Sequence, residues 1–576
     1  MVQICLLHYR IRAFAFFGFF IISSAICHAQ QSLIVPRNYE KGYFMWPVGA
    51  KIGLAANFGE LRPNHYHMGL DCRTEQVQNK KVFAAADGYV SRIKIERFGF
   101  GRSISINHPN GLTTLYAHLN EFDPKIEAYL KKNQYQLKTW EIILDIPPGE
   151  LPVSKGEFIA FSGNTGGSQG PHMHFEVRDT KTEKVLNPLL MGFPINDNIP
   201  PSILRLAMYD RRLSTYEQTP KIFPAKFTKA GYHVASGKIM VSSDKISFAV
   251  TAYDRYTGST NHNGIYAAEL IVDGIPVSSF QLDSISYDET RYLNAHIDYK
   301  TRANGGPYLQ HLSKLPGYDD GIYHCQPGQD GVITLSDSDP HEIRIRVLDA
   351  NNNESVLNFT VQRTAELSAV PQQSGSLFLP NEANVFESQN LVMYLPEKAI
   401  YDSFHFKFSE IKADGQPGYQ LQNNTVPVHS NFPVMIRPDK PFNDITKLVM
   451  KRYYNRKKDF KKADFFNGWY RSTFREFGIF QLIYDTIPPT ITAFGFFDGM
   501  IAAKLHNIRF SVKDENEEIG SFEATLDGNW LRFSNDKARL FIYDFDEKCP
   551  PGEHELKIVV KDLVGNQTEK TYRFTR

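Results

Sequence analysis

Three separated stretches between His67 and Glu176 constrain this chain more than any other feature of its sequence. They are His67-Met-Gly-Leu-Asp71, Tyr116-Ala-His118-Leu and Gly170-Pro-His172-Met-His174-Phe-Glu176. Imidazole and carboxylate groups are the ligands that a borderline-soft cation such as zinc selects over calcium or magnesium. The three stretches together therefore predict a zinc hydrolase site.

The third stretch predicts a β-strand, because polar and apolar residues alternate along it. On a strand, His172, His174 and Glu176 project from one face, while the intervening apolar residues point into a core. One of two adjacent same-face histidines can bind a metal while its neighbour acts as a catalytic base. Glu176, further along the same row, is a candidate orienting partner.

The segment from about residue 50 to 190 resembles the catalytic domain of the lysostaphin-type (LytM-like) zinc endopeptidases, which are peptidoglycan hydrolases. Their signature is His-x-x-x-Asp followed later by His-x-His. Flanking features also match, namely Ala86-Asp-Gly88, Asn110-Gly-Leu-Thr-Thr-Leu-Tyr116 and Ser162-Gly-Asn-Thr-Gly166. The resemblance implies that zinc (Zn2+) is bound by His67, Asp71 and His174. It also implies that His118 and His172 are the catalytic pair, without deciding which of them is the general base.

One insertion departs from the family pattern. Residues 122–154 form a longer connection than such enzymes usually have, and Pro124–Tyr135 shows helical spacing. This segment is expected to be either a groove wall or lid, or a surface excursion. Near the site, His65 is interpreted as a polar loop histidine and Cys72 as a small buried apolar residue.

The N-terminal segment has the composition of a secretory signal peptide. Arg10 and Arg12 precede an apolar run, and small residues lie at Cys27-His-Ala29. Residues 1–29 are therefore predicted to be removed on export to the periplasm, cell envelope or extracellular space. No second apolar run of membrane-spanning length follows, so no transmembrane span is expected afterwards.

The formal net charge of +1 gives no support to nucleic acid as a partner.

The remaining sequence predicts a mainly β chain. Asp197-Asn-Ile-Pro-Pro201 and Asp485-Thr-Ile-Pro-Pro489 both force extended backbone and are followed by alternating sequence, so we interpret them as domain entrances. The segments behind them are similar. Ile271-Val-Asp-Gly274 matches Thr525-Leu-Asp-Gly528, and His341–Asp349 matches His554–Asp562. Short alternating strands with Asp-Gly turns are typical of small β-sandwiches such as immunoglobulin-like modules.

The predicted fold class is an antiparallel-sheet metallopeptidase domain followed by about three β-sandwich-like domains. The predicted bounds are a metallopeptidase domain at 30–196, an immunoglobulin-like domain with an insertion at 197–365, a β-rich domain at 366–484 and a second immunoglobulin-like domain at 485–576. A basic aromatic cluster at 451–458, with Lys461 and Lys462, is interpreted as a solvated hairpin. The alternative is a surface that binds an anionic envelope polymer or stacks on sugar rings.

These observations predict an exported zinc endopeptidase that hydrolyses peptide cross-links of bacterial peptidoglycan. The substrate class comes from the resemblance, whereas the residues themselves indicate only metal-assisted hydrolysis. The expected partners are peptidoglycan stem peptides or cross-links, with the β modules available to an envelope protein. Two alternatives stay open: a non-catalytic family member that binds and activates another wall hydrolase, and an envelope structural or binding protein.

Overall fold

The computed structural model describes residues 31–576, except Asp320 and Asp414. The predicted signal peptide lies outside the described residues. Strands dominate the regular structure, which confirms the predicted mainly β class. Within the described part of the chain, no helix reaches the length and hydrophobicity that crossing a bilayer requires.

The N-terminal region is built on one long antiparallel sheet. Its strand order is β1-β4-β13-β8-β7-β6-β10, and β5, β12 and β9 form a smaller sheet beside it. The elements, in chain order, are β1 (Leu54–Ala56), β2 (Leu61–Arg62), β3 (His65–Tyr66), β4 (Leu70–Arg73), β5 (Lys81–Phe83), β6 (Gly88–Ile95), β7 (Arg102–Asn107), β8 (Leu112–Ala117), β9 (Leu119–Phe122), α1 (Pro124–Leu137), β10 (Ile142–Asp145), β11 (Pro152–Val153), β12 (Phe158–Ser162), β13 (His172–Asp179) and β14 (Val185–Leu186).

Helix α1 forms where helical spacing predicted one. Asp123 caps its N-terminus by accepting a hydrogen bond from the Lys125 amide, and Pro124 occupies the first turn, where its missing N–H costs nothing. Ile126 and Leu130 are buried on one face. The other end of the helix contacts the C-terminal region, where Tyr135 donates a hydrogen bond to Asp546 Oδ2 at 2.8 Å.

The next region forms a sheet of eleven strands with the order β22-β18-β15-β16-β17-β26-β25-β19-β20-β23, in which β24 also pairs with β18. Its elements are β15 (Ser202–Asp210), β16 (Lys221–Thr228), β17 (Gly231–Val241), β18 (Lys245–Tyr253), β19 (Ala267–Val272), β20 (Ile275–Gln281), β21 (Ser284–Ile285), α2 (Leu293–His296), α3 (Tyr299–Ala303), β22 (Gln310–His311), β23 (Tyr323–Cys325), β24 (Ile333–Thr334), β25 (Pro340–Leu348) and β26 (Glu354–Arg363).

Two five-stranded sheets, ordered β28-β29-β33-β37-β36 and β31-β32-β38-β34-β35, form the third region, together with the β27-β30 pair. The strands are β27 (Ser376–Phe378), β28 (Asn384–Glu387), β29 (Leu391–Leu395), β30 (Phe404–Phe406), β31 (Phe408–Ala413), β32 (Gln416–Leu421), β33 (Pro427–Ile436), β34 (Leu448–Tyr454), β35 (Lys457–Lys462), β36 (Asp464–Phe466), β37 (Trp469–Glu476) and β38 (Gly478–Tyr484). The basic aromatic cluster is the β34–β35 hairpin, as predicted, although Arg452 within it is buried and pairs with Glu476 at 2.9 Å.

The C-terminal region has a three-stranded sheet, β39-β41-β44, and a five-stranded sheet, β40-β46-β45-β42-β43. Its strands are β39 (Thr490–Ala493), β40 (Met500–Ile501), β41 (Asn507–Lys513), β42 (Ile519–Leu526), β43 (Asn529–Trp530), β44 (Phe541–Asp544), β45 (Glu553–Asp562) and β46 (Gln567–Thr575).

The internal repeat is visible as a repeated contact. His341 Nδ1 lies 2.7 Å from Asp273 Oδ2, and His554 Nδ1 lies 2.7 Å from Asp527 Oδ2. In each case the carboxylate also accepts a hydrogen bond from the backbone amide of the residue after the histidine, at 2.8 Å. The two segments that match in sequence therefore fold in the same way around their Asp-Gly turns.

The N-terminal region and the second region are joined by a strand pair and by a common hydrophobic cluster. Strand β14 pairs with β21, so that Val185 lies opposite Ile285. Phe58, Tyr66 and Met68 pack into the same hydrophobic cluster as the strands of the second region. The stretch that contains His67 is thus held between two cores, and the exact domain bounds stay a prediction.

Candidate metal centre

Strand β13 positions the site because it is paired on both sides. In the antiparallel register His174 lies opposite Asp71 of β4 and opposite Ala117 of β8. Alternation places His172, His174 and Glu176 on one face of β13. On the other face Met173 and Phe175 are fully buried, so the polar row is held by a packed core.

Three of the predicted ligands converge on one point. His67 Nε2 lies 2.9 Å from Asp71 Oδ1, His174 Nδ1 lies 3.0 Å from the same oxygen, and the two nitrogens are 3.1 Å apart. All three residues are buried. A tetrahedral zinc ion with bonds of about 2.0–2.1 Å requires ligand atoms about 3.3 Å apart, so this triangle has a suitable size.

The tautomers of His67 and His174 determine which ligand the triangle can bind. His67 Nδ1 is 2.7 Å from the Asn57 carbonyl, which can only accept, so Nδ1 carries the proton and Nε2 presents a lone pair. His174 Nε2 is 2.9 Å from Glu176 Oε1, so its Nδ1 presents a lone pair as well. Two nitrogen lone pairs and a carboxylate then face one another. These three acceptor atoms repel one another unless a cation lies between them. Two nitrogen ligands and one oxygen ligand are a combination that zinc accepts.

The electrostatics of the site also favour added positive charge. Although burial opposes ionisation, the imidazoles of His67, His172 and His174 hold the pKa of Asp71 well below its usual range. Burial would lower the pKa of His174, but hydrogen bonds to the carboxylates of Asp71 and Glu176 raise it to about 9. Both shifts of pKa arise from the negative charge of the two carboxylates and the imidazoles around them, which favours positive charge at this point.

Glu176 orients His174, as the sequence suggested. It is fully buried, and burial would raise its pKa, but Arg178 and His174 lower the pKa of Glu176 to about 2. The Arg178 guanidinium lies 2.6 Å from Glu176 Oε2. Tyr287 donates a further hydrogen bond to Oε1. Sequence reasoning missed Tyr287, since no local pattern connects it with a strand more than a hundred residues earlier.

The predicted catalytic pair lies beside the triangle. The rings of His118 and His172 have centroids 4.8 Å apart. His118 Nδ1 is 2.9 Å from the Thr165 carbonyl and His172 Nδ1 is 2.8 Å from the Gly170 carbonyl, so both rings have Nε2 left to act. His172 Nε2 lies 3.4 Å from Asp71 Oδ1. Burial and the neighbouring imidazoles lower the pKa of His118 to about 3, which keeps this ring neutral.

His65 and Cys72 take no part in the triangle. His65 is exposed and its Nδ1 contacts the Pro63 carbonyl at 2.8 Å. Cys72 is fully buried, and burial raises the pKa of its thiol. Both agree with the interpretations made from the sequence.

The C-terminal region supplies an unpredicted rim to the site. Lys537 Nζ donates to the Ser168 carbonyl at 2.6 Å and to Asn164 Oδ1 at 3.1 Å. Asp536 Oδ1 accepts a hydrogen bond from the Gly166 amide at 2.8 Å. The loop that orients His118 through Thr165 is therefore bonded to a segment far away in sequence. Nothing in the local pattern around Lys537 indicates this contact.

Comparisons with known proteins agree with this geometry. Residues 65–135 match the family model described as Peptidase family M23, and residues 376–485 match a Zu5-like domain. An uncharacterized metalloprotease of Haemophilus influenzae is 29% identical over 163 residues, which are 27% of this chain and 28% of the relative. The DD-carboxypeptidase/endopeptidase Mpg of Neisseria meningitidis is 33% identical over 128 residues, 22% of this chain and 23% of the relative.

A third relative is the peptidoglycan DD-endopeptidase ShyA of Vibrio cholerae, 25% identical over 167 residues, 28% of this chain and 32% of the relative. The chain thus spans between about a quarter and a third of the length of these three relatives. The antiparallel sheet and the His-Asp-His triangle define a metallopeptidase-type domain. Together with the match of residues 65–135 to its family model, this geometry identifies an M23-type domain in the N-terminal region of the chain.

We predict that Gly69→Ala strongly weakens metal binding. A Cβ atom at position 69 would lie 2.3 Å from the Phe175 carbonyl oxygen and 3.0 Å from His174 Cε1, so β4 must move away from β13 and carry Asp71 with it. Zinc content, measured by mass spectrometry, should fall by about tenfold or more. Gly170→Ala is the control, because a Cβ there meets nothing within 4 Å, and it should keep its zinc. Equal zinc content in the two variants would contradict this account of the strand packing.

We also predict that Glu176→Gln weakens zinc binding by about 10–100-fold, because an amide orients His174 less well and leaves Arg178 without its buried counter-charge. Competition with a chromogenic chelator measures the affinity. Glu183→Gln serves as the control, since Glu183 is exposed and only pairs with Arg92 at 3.2 Å. If both variants keep the wild-type affinity, Glu176 does not support the site.

Proposed function

We propose that this protein is an exported, zinc-dependent endopeptidase that hydrolyses peptide cross-links of bacterial peptidoglycan. The observation that carries the proposal is the triangle of His67, Asp71 and His174, in which two nitrogen lone pairs and a carboxylate oxygen converge. The match of residues 65–135 to the model of Peptidase family M23 supports peptidase activity in general. The substrate class is supported by the names of two relatives, a DD-carboxypeptidase/endopeptidase and a peptidoglycan DD-endopeptidase.

The residues divide into three roles. His67, Asp71 and His174 would hold the zinc ion, which supplies Lewis acidity that lowers the pKa of water and polarises a peptide carbonyl. His118 and His172 move protons, because each ring has its Nδ1 tied to a backbone carbonyl and its Nε2 available. Asn57 and Glu176 fix the rings of His67 and His174.

The burial of the triangle suits a catalytic centre of this kind. Electrostatic interactions are stronger in a site from which water is largely excluded, so a polarised carbonyl and a developing oxyanion gain more from nearby positive charge. Three protein ligands also leave room for water or substrate, whereas a structural zinc site is closed by four. Within the described residues, the cluster at this point contains three such ligands.

Export is supported by the sequence pattern of residues 1–29 and by the substrate class, since peptidoglycan lies outside the cytoplasmic membrane. The β regions behind the catalytic domain would then hold the enzyme on the wall or on an envelope protein. The Zu5-like match at 376–485 marks one of them as a recognisable module.

We predict that His118→Ala and Asp71→Asn fail in different ways. Purified protein is incubated with defined muropeptides, the products are identified by mass, and bound zinc is counted in parallel. Asp71→Asn should lose both zinc and cleavage, whereas His118→Ala should keep its zinc and lose about 10²–10⁴-fold in rate, as expected for a lost general acid or base.

The control for this experiment is His65→Ala, which removes an exposed imidazole outside the triangle and should change neither quantity. Wild-type protein that binds one zinc ion but cleaves no muropeptide would identify the chain as a non-catalytic family member. Cleavage by both variants at the wild-type rate would place the active site elsewhere.

A further inference from the structure

A second group of metal-ligand side chains lies outside the zinc triangle. Carboxylate oxygens of Asp197, Asp254 and Asp349 all lie within 4.8 Å of one another. Asp254 is 1% exposed and Asp349 is 2% exposed. The three residues come from different parts of the second region: Asp197 precedes β15, Asp254 follows β18, and Asp349 follows β25.

No basic side chain among the described residues forms an ion pair with these three carboxylates. The donors to the Asp349 carboxylate are neutral and include the backbone amides of Asn351 and Asn353 and the Asn353 side chain. The guanidinium of Arg255, which follows Asp254, instead contacts His262 at 2.7 Å and lies over the Tyr253 ring. Three carboxyl groups therefore meet in a largely buried place, and no basic side chain is paired with them.

Unsatisfied oxygen atoms point to a missing ligand. Asp254 Oδ1 and Asp197 Oδ2 are buried without a hydrogen-bond partner. Asn263 adds an independent observation: it is 3% exposed, and neither Oδ1 nor Nδ2 of its side chain has a partner. Asp254 and Asn263 form an antiparallel bridge, and directly opposed residues of such a pair project from the same face. The bridge thus places the Asn263 and Asp254 side chains on the same face.

The C-terminal copy of the repeat provides an internal comparison. Asp485, Asp514 and Asp562 occupy the positions that correspond to Asp197, Asp254 and Asp349. In this copy Asn516 Nδ2 donates to Asp485 Oδ2 at 2.8 Å, and Asn566 Nδ2 donates to Asp485 Oδ1 at 3.2 Å. The residue that corresponds to Asn516 in the first copy is Tyr256, which has no amide to offer.

We propose that Asp197, Asp254 and Asp349, together with the Asn263 side chain, form a divalent-cation site that prefers calcium. All the available ligand atoms are hard oxygen donors, and calcium accepts six to eight of them from carboxylates, amide carbonyls and water. Zinc would instead select nitrogen or sulfur ligands, which this cluster lacks. Burial, together with the carboxylates of Asp197 and Asp349, raises the pKa of Asp254 to about 8.

The cation would also support the zinc triangle. Gly264, which follows Asn263, donates its amide to Asn57 Oδ1 at 2.9 Å and accepts from Asn57 Nδ2 at 2.9 Å. The Asn57 carbonyl in turn fixes His67. Calcium that orders the Asp254–Asn263 bridge therefore stabilises the backbone that orients one zinc ligand. This last link rests on the proposed function, whereas the calcium site does not.

The test measures calcium binding to the zinc-loaded protein by titration calorimetry with calcium chloride, and follows the unfolding temperature by scanning calorimetry. We expect calcium to bind with a dissociation constant of about 10⁻⁴–10⁻³ M, as in extracellular calcium modules, and to raise the unfolding temperature. Terbium luminescence sensitised by Tyr253 and Tyr256 provides a second readout, which calcium should quench by competition.

Two matched variants localise the effect. Asp254→Asn should lose calcium binding and the calcium-dependent stabilisation, while Asp514→Asn, at the corresponding position of the C-terminal copy, should keep both. Asp71→Asn should lose zinc and still bind calcium, so that a failure of the zinc proposal is distinguishable from a failure of this one.

Three results would overturn the calcium site. The first is wild-type protein that shows no calcium heat and no terbium signal at millimolar metal. The second is an Asp254→Asn variant that binds calcium as the wild type does. The third is an Asp254→Asn variant that is more stable than the wild type at every calcium concentration, which would show that the cluster is kept neutral by a bound proton instead.

Discussion

The arrangement of the site depends on the register of strand β13 between β4 and β8. Because side chains alternate with a period of two, a shift of one residue would turn His172, His174 and Glu176 into the core and Met173 and Phe175 toward the metal. The close approach of Gly69 to the Phe175 carbonyl secures this register on the β4 side. The backbone pairing, more than any single ligand, therefore brings Asp71 and His174 together.

Both proposed metal sites have more hydrogen-bond acceptors than donors. In the triangle the imidazole protons are used by Asn57 and Glu176, which leaves lone pairs facing a carboxylate. In the aspartate cluster neutral donors satisfy part of Asp349, and oxygens of Asp254 and Asp197 remain without partners. The ligand types then separate the two: nitrogen and oxygen in a compact triangle suit zinc, whereas oxygens alone suit calcium. In the C-terminal copy, by contrast, the side-chain amides of Asn516 and Asn566 donate to the Asp485 carboxylate, while Asp514 Oδ1 is buried without a partner.

Features that depend on local periodicity could be predicted from the sequence, whereas contacts between residues far apart in the chain could not. Alternation along residues 172–176 predicts which side chains share a face, and helical spacing predicts α1, because both follow from backbone geometry. The internal repeat is also readable, since its two copies build the same His-Asp contact. Tyr287, Lys537 and the joining of Asp197 to Asp254 and Asp349 were not predicted, because tertiary packing alone sets these pairings. The domain bounds, the immunoglobulin-like assignment and the roles of the site residues stay predictions.

The rim contact between Asp536 and Gly166 has a consequence for the order of folding. Its two ends are 370 residues apart in the chain, and the Lys537 contact to Ser168 spans 369. Closing so long a loop costs more chain entropy than forming the local strand pairs of the catalytic sheet, so contacts of this kind form late. The sheet that carries the histidines can thus assemble before the contacts of Asp536 and Lys537 form, and completion of the site becomes a late step that waits for the distal end of the polypeptide.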